Sequence, residues 1–134
     1  MTVKRICVGA LLLDEGRVLL GLRSSHKSFA NCWDLPGGHV DPGEEIEAAL
    51  VRELGEELNV TPTAWRFHSK HRSGDIELHL FVVTRWSGSP ELRNDEHAAL
   101  VWHTLDEARR LPNLAAEGYR ELFRHLSELE NERA

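Results

Sequence analysis

Cysteine is scarce. Cys7 and Cys32 are the only two in 134 residues, too few for a disulfide framework, and they match no Cys-x-x-Cys zinc spacing. A buried free thiol at Cys7 and a loop or strand-edge thiol at Cys32 account for both. Long apolar runs are missing as well. No stretch approaches the roughly 20 residues needed to cross a bilayer. The apolar run after the basic start Met1-Thr2-Val3-Lys4-Arg5 is short and strand-like, ends at Asp14 and lacks a small-residue cleavage site. A membrane-spanning helix and a signal peptide are therefore not expected, and the cytosol is the expected compartment. Positive charge is also in short supply. A net charge of −6 with histidines neutral argues against a nucleic-acid polymer as partner. A small phosphorylated molecule stays compatible, because metal ions and a few local cations neutralise it.

Repeats, linkers and low-complexity segments are absent too. The expectation is one domain over residues 1–134, a monomer or homodimer, with 41% hydrophobic residues supplying an ordinary core.

Hydropathy patterning places the elements. Lys4 to Leu13 reads as a buried strand, Asp14-Glu15-Gly16 as a turn, and Arg17 to Arg23 as the returning strand. Ser24 to Asn31 is polar loop. Trp33-Asp34-Leu35 reads as a short strand that Pro36-Gly37-Gly38 breaks into a loop. Asp41-Pro42-Gly43-Glu44 carries turn chemistry, and a helix follows from about Ile46 to Leu58. Thr61 to Lys70 and Asp75 to Trp86 read as strands, with a turn from His71 to Gly74. After a Ser87–Asp95 loop, Leu100 to His103 is a short strand, and Thr104 caps a short helix with Asp106-Glu107-Ala108. Leu114 to about Glu130 reads as an amphipathic helix with Leu122, Phe123, Leu126 and Leu129 inward. Strands, a helix, more strands and then helices make an α+β, mixed-sheet class.

The chemistry concentrates on the Ile46–Leu58 helix. A helix turns roughly 100° per residue, so Glu56 lies about 60° to one side of Glu53 and Glu57 about 40° to the other. The three carboxylates share one face beside an apolar ridge of Ile46, Leu50, Leu54 and Leu58. Like charges at these spacings repel by a few tenths of a kcal/mol per pair. An external cation offsets that repulsion, and oxygen-only donors suit Mg²⁺, with Mn²⁺ the alternative.

Gly38, then Glu44, Arg52-Glu53 and Glu56-Glu57 follow the order Gly, five residues, Glu, seven residues, Arg-Glu, an aliphatic, one residue, Glu-Glu. This spacing resembles the Nudix box, and a chance match at the fixed positions has odds of about 10⁻⁸ to 10⁻⁹ per starting point at average composition. One position departs: Asn59 stands where the family has its second glycine. Asn is the best non-glycine for the left-handed conformation just past a helix end, so a small stability cost is expected with the carboxylates undisturbed.

The resemblance implies a Nudix-type α/β/α sandwich, a mixed central sheet with helices on both faces. It implies divalent-metal-dependent cleavage of a phosphoanhydride, with Mg²⁺ held by Glu56 and Glu57, by Glu53 as ligand or general base, and by the Gly38 carbonyl. Arg52 has a fixed guanidinium fork able to hold a neighbouring carboxylate. Glu44 binds metal, orients Arg52 or serves as a helix N-terminal acid. Glu96 falls where MutT-type enzymes place a loop glutamate acting as base. Arg23, and more weakly Lys27, are candidate phosphate contacts, and Trp33 is a candidate for stacking on a base.

Marks of the family's subgroups are missing. No proline follows the box in the region Asp75-Ile76-Glu77, as in ADP-ribose hydrolases, and the only tyrosine is Tyr119, unlike the dinucleoside-polyphosphate hydrolases. The coenzyme A subgroup's upstream motif is also missing. What remains is a MutT-like pyrophosphohydrolase that takes a nucleoside triphosphate, such as an oxidised dNTP (8-oxo-dGTP), to monophosphate and pyrophosphate. The alternatives are an ADP-ribose or nucleotide-sugar pyrophosphatase and a non-catalytic nucleotide sensor; sensors of this kind commonly lose box carboxylates, and this chain keeps every one.

Overall fold

The computed structural model describes residues 5–93, 95 and 97–133. In chain order the elements are β1 (Arg5–Asp14), β2 (Arg17–Arg23), β3 (Trp33–Asp34), β4 (Gly37–His39), α1 (Ile46–Leu58), β5 (Thr61–Ser73), β6 (Ile76–Ser87), β7 (His97–Thr104), α2 (Leu105–Ala108) and α3 (Gly118–Arg133). The described residues up to 12 and those from 35 to 93 form one compact unit; residues 13–34 and those from 95 on form a second.

In the first unit β1 is the central strand, pairing parallel with β6 and antiparallel with β4, while β6 pairs antiparallel with β5. The sheet is therefore mixed, as expected. A parallel central strand is covered on both faces and reads as a continuous apolar run; Ala10, Leu11 and Leu12 are fully buried against solvent. Helix α1 closes this core with Ala49, Leu50, Leu54 and Leu58. Asn59, the residue capping its C-terminus, adopts φ 58°, ψ 36° and donates its N–H to the Gly55 carbonyl at 3.2 Å. The expected left-handed asparagine is thus in place.

Two expectations are corrected in this unit. Pro36-Gly37-Gly38, expected as a loop, contributes β4: Val8 faces Gly38 and Gly9 faces Gly37 in register. Glycine works here by close approach, since a Cβ at position 37 would lie 2.0 Å from the Val8 carbonyl oxygen. The turn expected over His71–Gly74 shrinks to Gly74-Asp75, because cross-strand pairing continues through His71↔Leu78, Arg72↔Glu77 and Ser73↔Ile76. Polar side chains on β5 hid that continuation, and its register shifts near Pro62, Ala64 and Phe67 blur any alternation.

In the second unit β2 lies between β3 and β7, antiparallel to both, and Leu13-Asp14 turns back onto Arg17-Val18. Thr104 caps α2 with a full capping box, its hydroxyl accepting from Glu107 N–H while the Glu107 carboxylate takes Thr104 N–H. β7 begins at His97, earlier than the expected Leu100, because Arg23 still finds His97 opposite it. Helix α3 begins at Gly118, not at Leu114. The backbone before it is committed elsewhere: Trp33 N–H donates to Asn113 and Ala115 N–H donates to Trp33, making a parallel bridge at Leu114. Leu122, Phe123 and Leu126 are buried as expected, and Leu129 is half-buried.

Candidate active site

The box residues come together around Arg52. Its Nε and one Nη grip both oxygens of Glu44 at 2.9 Å each, a bidentate fork. The other Nη reaches Glu53 at 3.0 Å and Glu56 at 3.3 Å. The same guanidinium donates to the His39 carbonyl at 2.9 Å and lies 3.7 Å from Asp41. One cation thus orders three glutamates of the box and clips the end of β4 to the helix. Glu44 is bound to Arg52 through both oxygens, which is the orienting role among those left open for it. Its carboxyl is held down to about 2 by the Arg52 hydrogen bonds first and by the Asp41 backbone N–H second. Glu44, Glu53 and their neighbours in turn push the guanidinium's proton affinity further up.

The three carboxylates of the helix face different surroundings. Glu57 is 3% exposed, set between Leu54 and Leu58, with one oxygen accepting Gly37 N–H at 3.0 Å. The Glu53 side chain is 14% exposed and lies against Gly38, where an added Cβ would sit 2.5 Å from the carboxylate. The first glycine of the box is therefore a space requirement of Glu53. The Glu56 side chain is 58% exposed and has room to turn.

The donor set passes a chemical test for a hard divalent cation. It is oxygen-only, and it includes an acid in the interior, where a charge without nearby compensation is costly. As arranged, no three His, Cys, Asp or Glu side chains among the described residues are gathered closely enough to hold an ion. Closing the set asks the exposed Glu56 to leave Arg52. An open cavity of about 620 Å³ borders the loop at His39, Asp41 and Glu44, and its lining does not include Glu53, Glu56 or Glu57.

Arg23, Trp33 and Lys27 belong to the second unit. Arg23 has a side chain 18% exposed, donates to the Ser28 carbonyl at 2.6 Å and pairs with Asp34 at 3.5 Å. It is neither a solvated cation nor a bare one. Trp33 stands edge-on to His103 with ring centroids 4.9 Å apart. Lys27 is half-buried, and its charge, after the His26 hydrogen bond, helps to hold the Asp95 carboxyl low. Glu96 lies outside the described residues.

Sequence reasoning missed two backbone partners, the His39 carbonyl and the Gly37 N–H, and the Asp41 side chain beside Arg52. Only the recognition of β4 as a strand would have found them, since pairing with β1 is what presents Gly37 N–H to Glu57.

A model of the NUDIX domain matches residues 3–126. The chain belongs to the Nudix family. It is 37% identical over 114 residues to the CTP pyrophosphohydrolase of Escherichia coli K12, covering 82% of this chain and 83% of that one. It is 32% identical over 94 residues to the 8-oxo-dGTP diphosphatase of the same organism, covering 64% and 70% respectively. The solution structure of the E. coli ORF135 protein superposes with a TM-score of 0.81 at 32% identity, covering 98% of this chain and 94% of that one. The Nudix fold is thus shared along nearly the whole chain, and this protein is a Nudix hydrolase acting on phosphoanhydride bonds. Among the described residues no helix is long and apolar enough to cross a membrane.

Proposed function

We propose that this Nudix hydrolase cleaves a nucleoside triphosphate to the monophosphate and pyrophosphate, using Mg²⁺, with Mn²⁺ as a substitute. The observation that carries the reading is the Arg52-centred array, in which one fork holds Glu44, Glu53 and Glu56 beside the buried Glu57. Glu53, Glu56 and Glu57, with the Gly38 carbonyl, are the groups that would hold the ion. Bound there, a divalent cation supplies charge neutralisation at the phosphates and a bound water of lowered pKa. The protein's own part is positioning, which is most of what phosphoryl transfer asks of it. Arg52 fixes the direction of Glu53, and Glu44 fixes Arg52. Glu57, seated in the core, gives the set one immobile member.

The relatives' names support a triphosphate over a nucleotide sugar. One names CTP and another 8-oxo-dGTP, so the base is the open variable and the linked phosphates the common one. Arg23 and Lys27 are proposed as phosphate contacts, Trp33 as a base contact and Glu96 as the loop base, each tested by substitution. The net charge of −6 fits a small nucleotide better than a polymer, and the cytoplasm is the proposed compartment. The deciding experiment is a panel of CTP, the other NTPs and dNTPs, 8-oxo-dGTP, ADP-ribose and nucleotide sugars with Mg²⁺. Pyrophosphate is expected from at least one triphosphate. Release from none of them, with ADP-ribose or a sugar nucleotide cleaved instead, overturns the reading.

A further inference from the structure

Phe67 stands in the middle of β5, yet 55% of it is exposed. Its ring is edge-on to Phe81 with centroids 5.7 Å apart, and 6.1 Å from the His79 ring. Beside these rings the start of α1 completes an open groove of about 510 Å³, lined by Glu45, Ile46, Glu47, Phe67, His79 and Phe81. Ile46 also borders the cavity at His39, so the apolar floor continues past the helix start. The hydrolysis described above uses none of the groove's side chains. An aromatic ring left half out of a sheet, beside an apolar groove with a polar rim, has the composition of a protein contact surface.

The rim says what fits. Glu45 and Glu47 are exposed and, among the described residues, neither enters an ion pair. The matching occupant therefore carries an apolar group with a cation close by. β5 itself presents that combination. Lys70, three residues beyond Phe67, lies opposite His79 in register and so emerges on the groove side. It is exposed and likewise enters no ion pair among the described residues, although the Glu77 carboxyl is lowered in part by its charge. Receptor and ligand thus lie side by side on one surface, the condition for a two-fold contact in which each copy offers the same patch. Strand-to-strand pairing is the other route for a second copy, since β5 is the last strand of its sheet. Register shifts near Ala64 and Phe67, with Arg66, Lys70 and Arg72 along the strand, disfavour that route.

We propose that two copies of this chain associate about a two-fold axis at this groove. Phe67 of each copy enters the groove of the other, and Lys70 of each faces Glu45 and Glu47 of the other. The apolar contact supplies the attraction, and the rim charges fix the register. The patch is small, so the dimer comes apart on dilution. The association is independent of the substrate proposed above.

Sedimentation equilibrium of the full chain, from about 1 µM to about 1 mM, the span of weak association, tests it. The wild type is expected to pass from monomer to dimer in that range. Phe67→Asp should stay monomeric throughout with a native circular-dichroism spectrum, and Phe67→Ser replaces it if the aspartate variant does not fold. Phe29→Asp, at an equally exposed ring in the second unit, should dimerise as the wild type does. Lys70→Glu and Glu47→Lys should each weaken association at least about tenfold, because like charges then meet twice across the axis. An equimolar mixture of those two variants should regain it, since both cross-axis pairs again have opposite signs. A wild type that stays monomeric, a dimer that survives Phe67→Asp, equal loss in Phe29→Asp, or a mixture no tighter than its components overturns the proposal.

Discussion

Arg52 on α1 and Arg124 on α3 are the same residue in nearly the same local pattern. Each has a glutamate four positions ahead, Glu56 and Glu128, and each pairs with a second on its own helix, Glu53 and Glu121. The likeness stops there. Among the described residues Arg124 has no further partner in its ion pairs, and its side chain is 45% exposed. Arg52 is 29% exposed and also grips Glu44, eight residues away, the His39 carbonyl and Asp41. Helical spacing alone makes an exposed pair of little net worth. Partners brought from outside the helix turn the same spacing into a fixed constellation.

The largest expected effect removes the immobile acid of that constellation. Glu57→Gln should lower turnover by at least about two orders of magnitude, comparable with the loss of a principal charge-stabilising group, while circular dichroism stays native. Arg52→Lys comes next. A point charge cannot reproduce the fork that holds Glu44, so the rate should fall about 10- to 100-fold with a raised Mg²⁺ half-saturation. Arg124→Lys should leave rate, Mg²⁺ dependence and melting midpoint within experimental scatter. Similar behaviour of the two lysine variants would break the comparison.

The third prediction uses pH. The Glu44 carboxyl is depressed to about 2 from an ordinary 4.5. Its contribution to stability is therefore complete above the unfolded value of 4.5 and is lost as pH falls through that range towards 2. Glu44→Gln should flatten the acid arm of the stability curve in that window. An unchanged acid arm, measured by denaturant unfolding, would mean the Arg52 fork does not persist in solution. The smallest effect is expected at the helix end. Asn59→Gly relieves a positive φ but gives up the Asn59–Glu91 hydrogen bond at 3.2 Å. Stability should move by less than about 1 kcal/mol with activity unchanged.

How much of this was legible from residues alone follows from where the partners lie in the chain. Helix α1 was readable to both ends because its ridge, its turn signals and Asn59 are all local. The capping box on α2 was readable for the same reason. β4 was not: Pro-Gly-Gly signals a break, and only contact with β1, some 30 positions earlier, makes it a strand. The start of α3 was displaced by the same kind of long-range claim, Trp33 capturing the backbone around Leu114. In the site, the shared face of Glu53, Glu56 and Glu57 could be derived from helical pitch. That Glu57 is buried while Glu56 is exposed depends on what the sheet covers, which no spacing reports.

The most direct test is a crystal structure with Mg²⁺ and a non-hydrolysable nucleoside triphosphate. The account predicts ions about 2.0–2.1 Å from carboxylate oxygens of Glu53, Glu56 and Glu57, bridged to the substrate's phosphates, with Glu44 still in the Arg52 fork. Ions bound elsewhere, with Glu56 left on Arg52 and Glu57 touching only backbone, would contradict it.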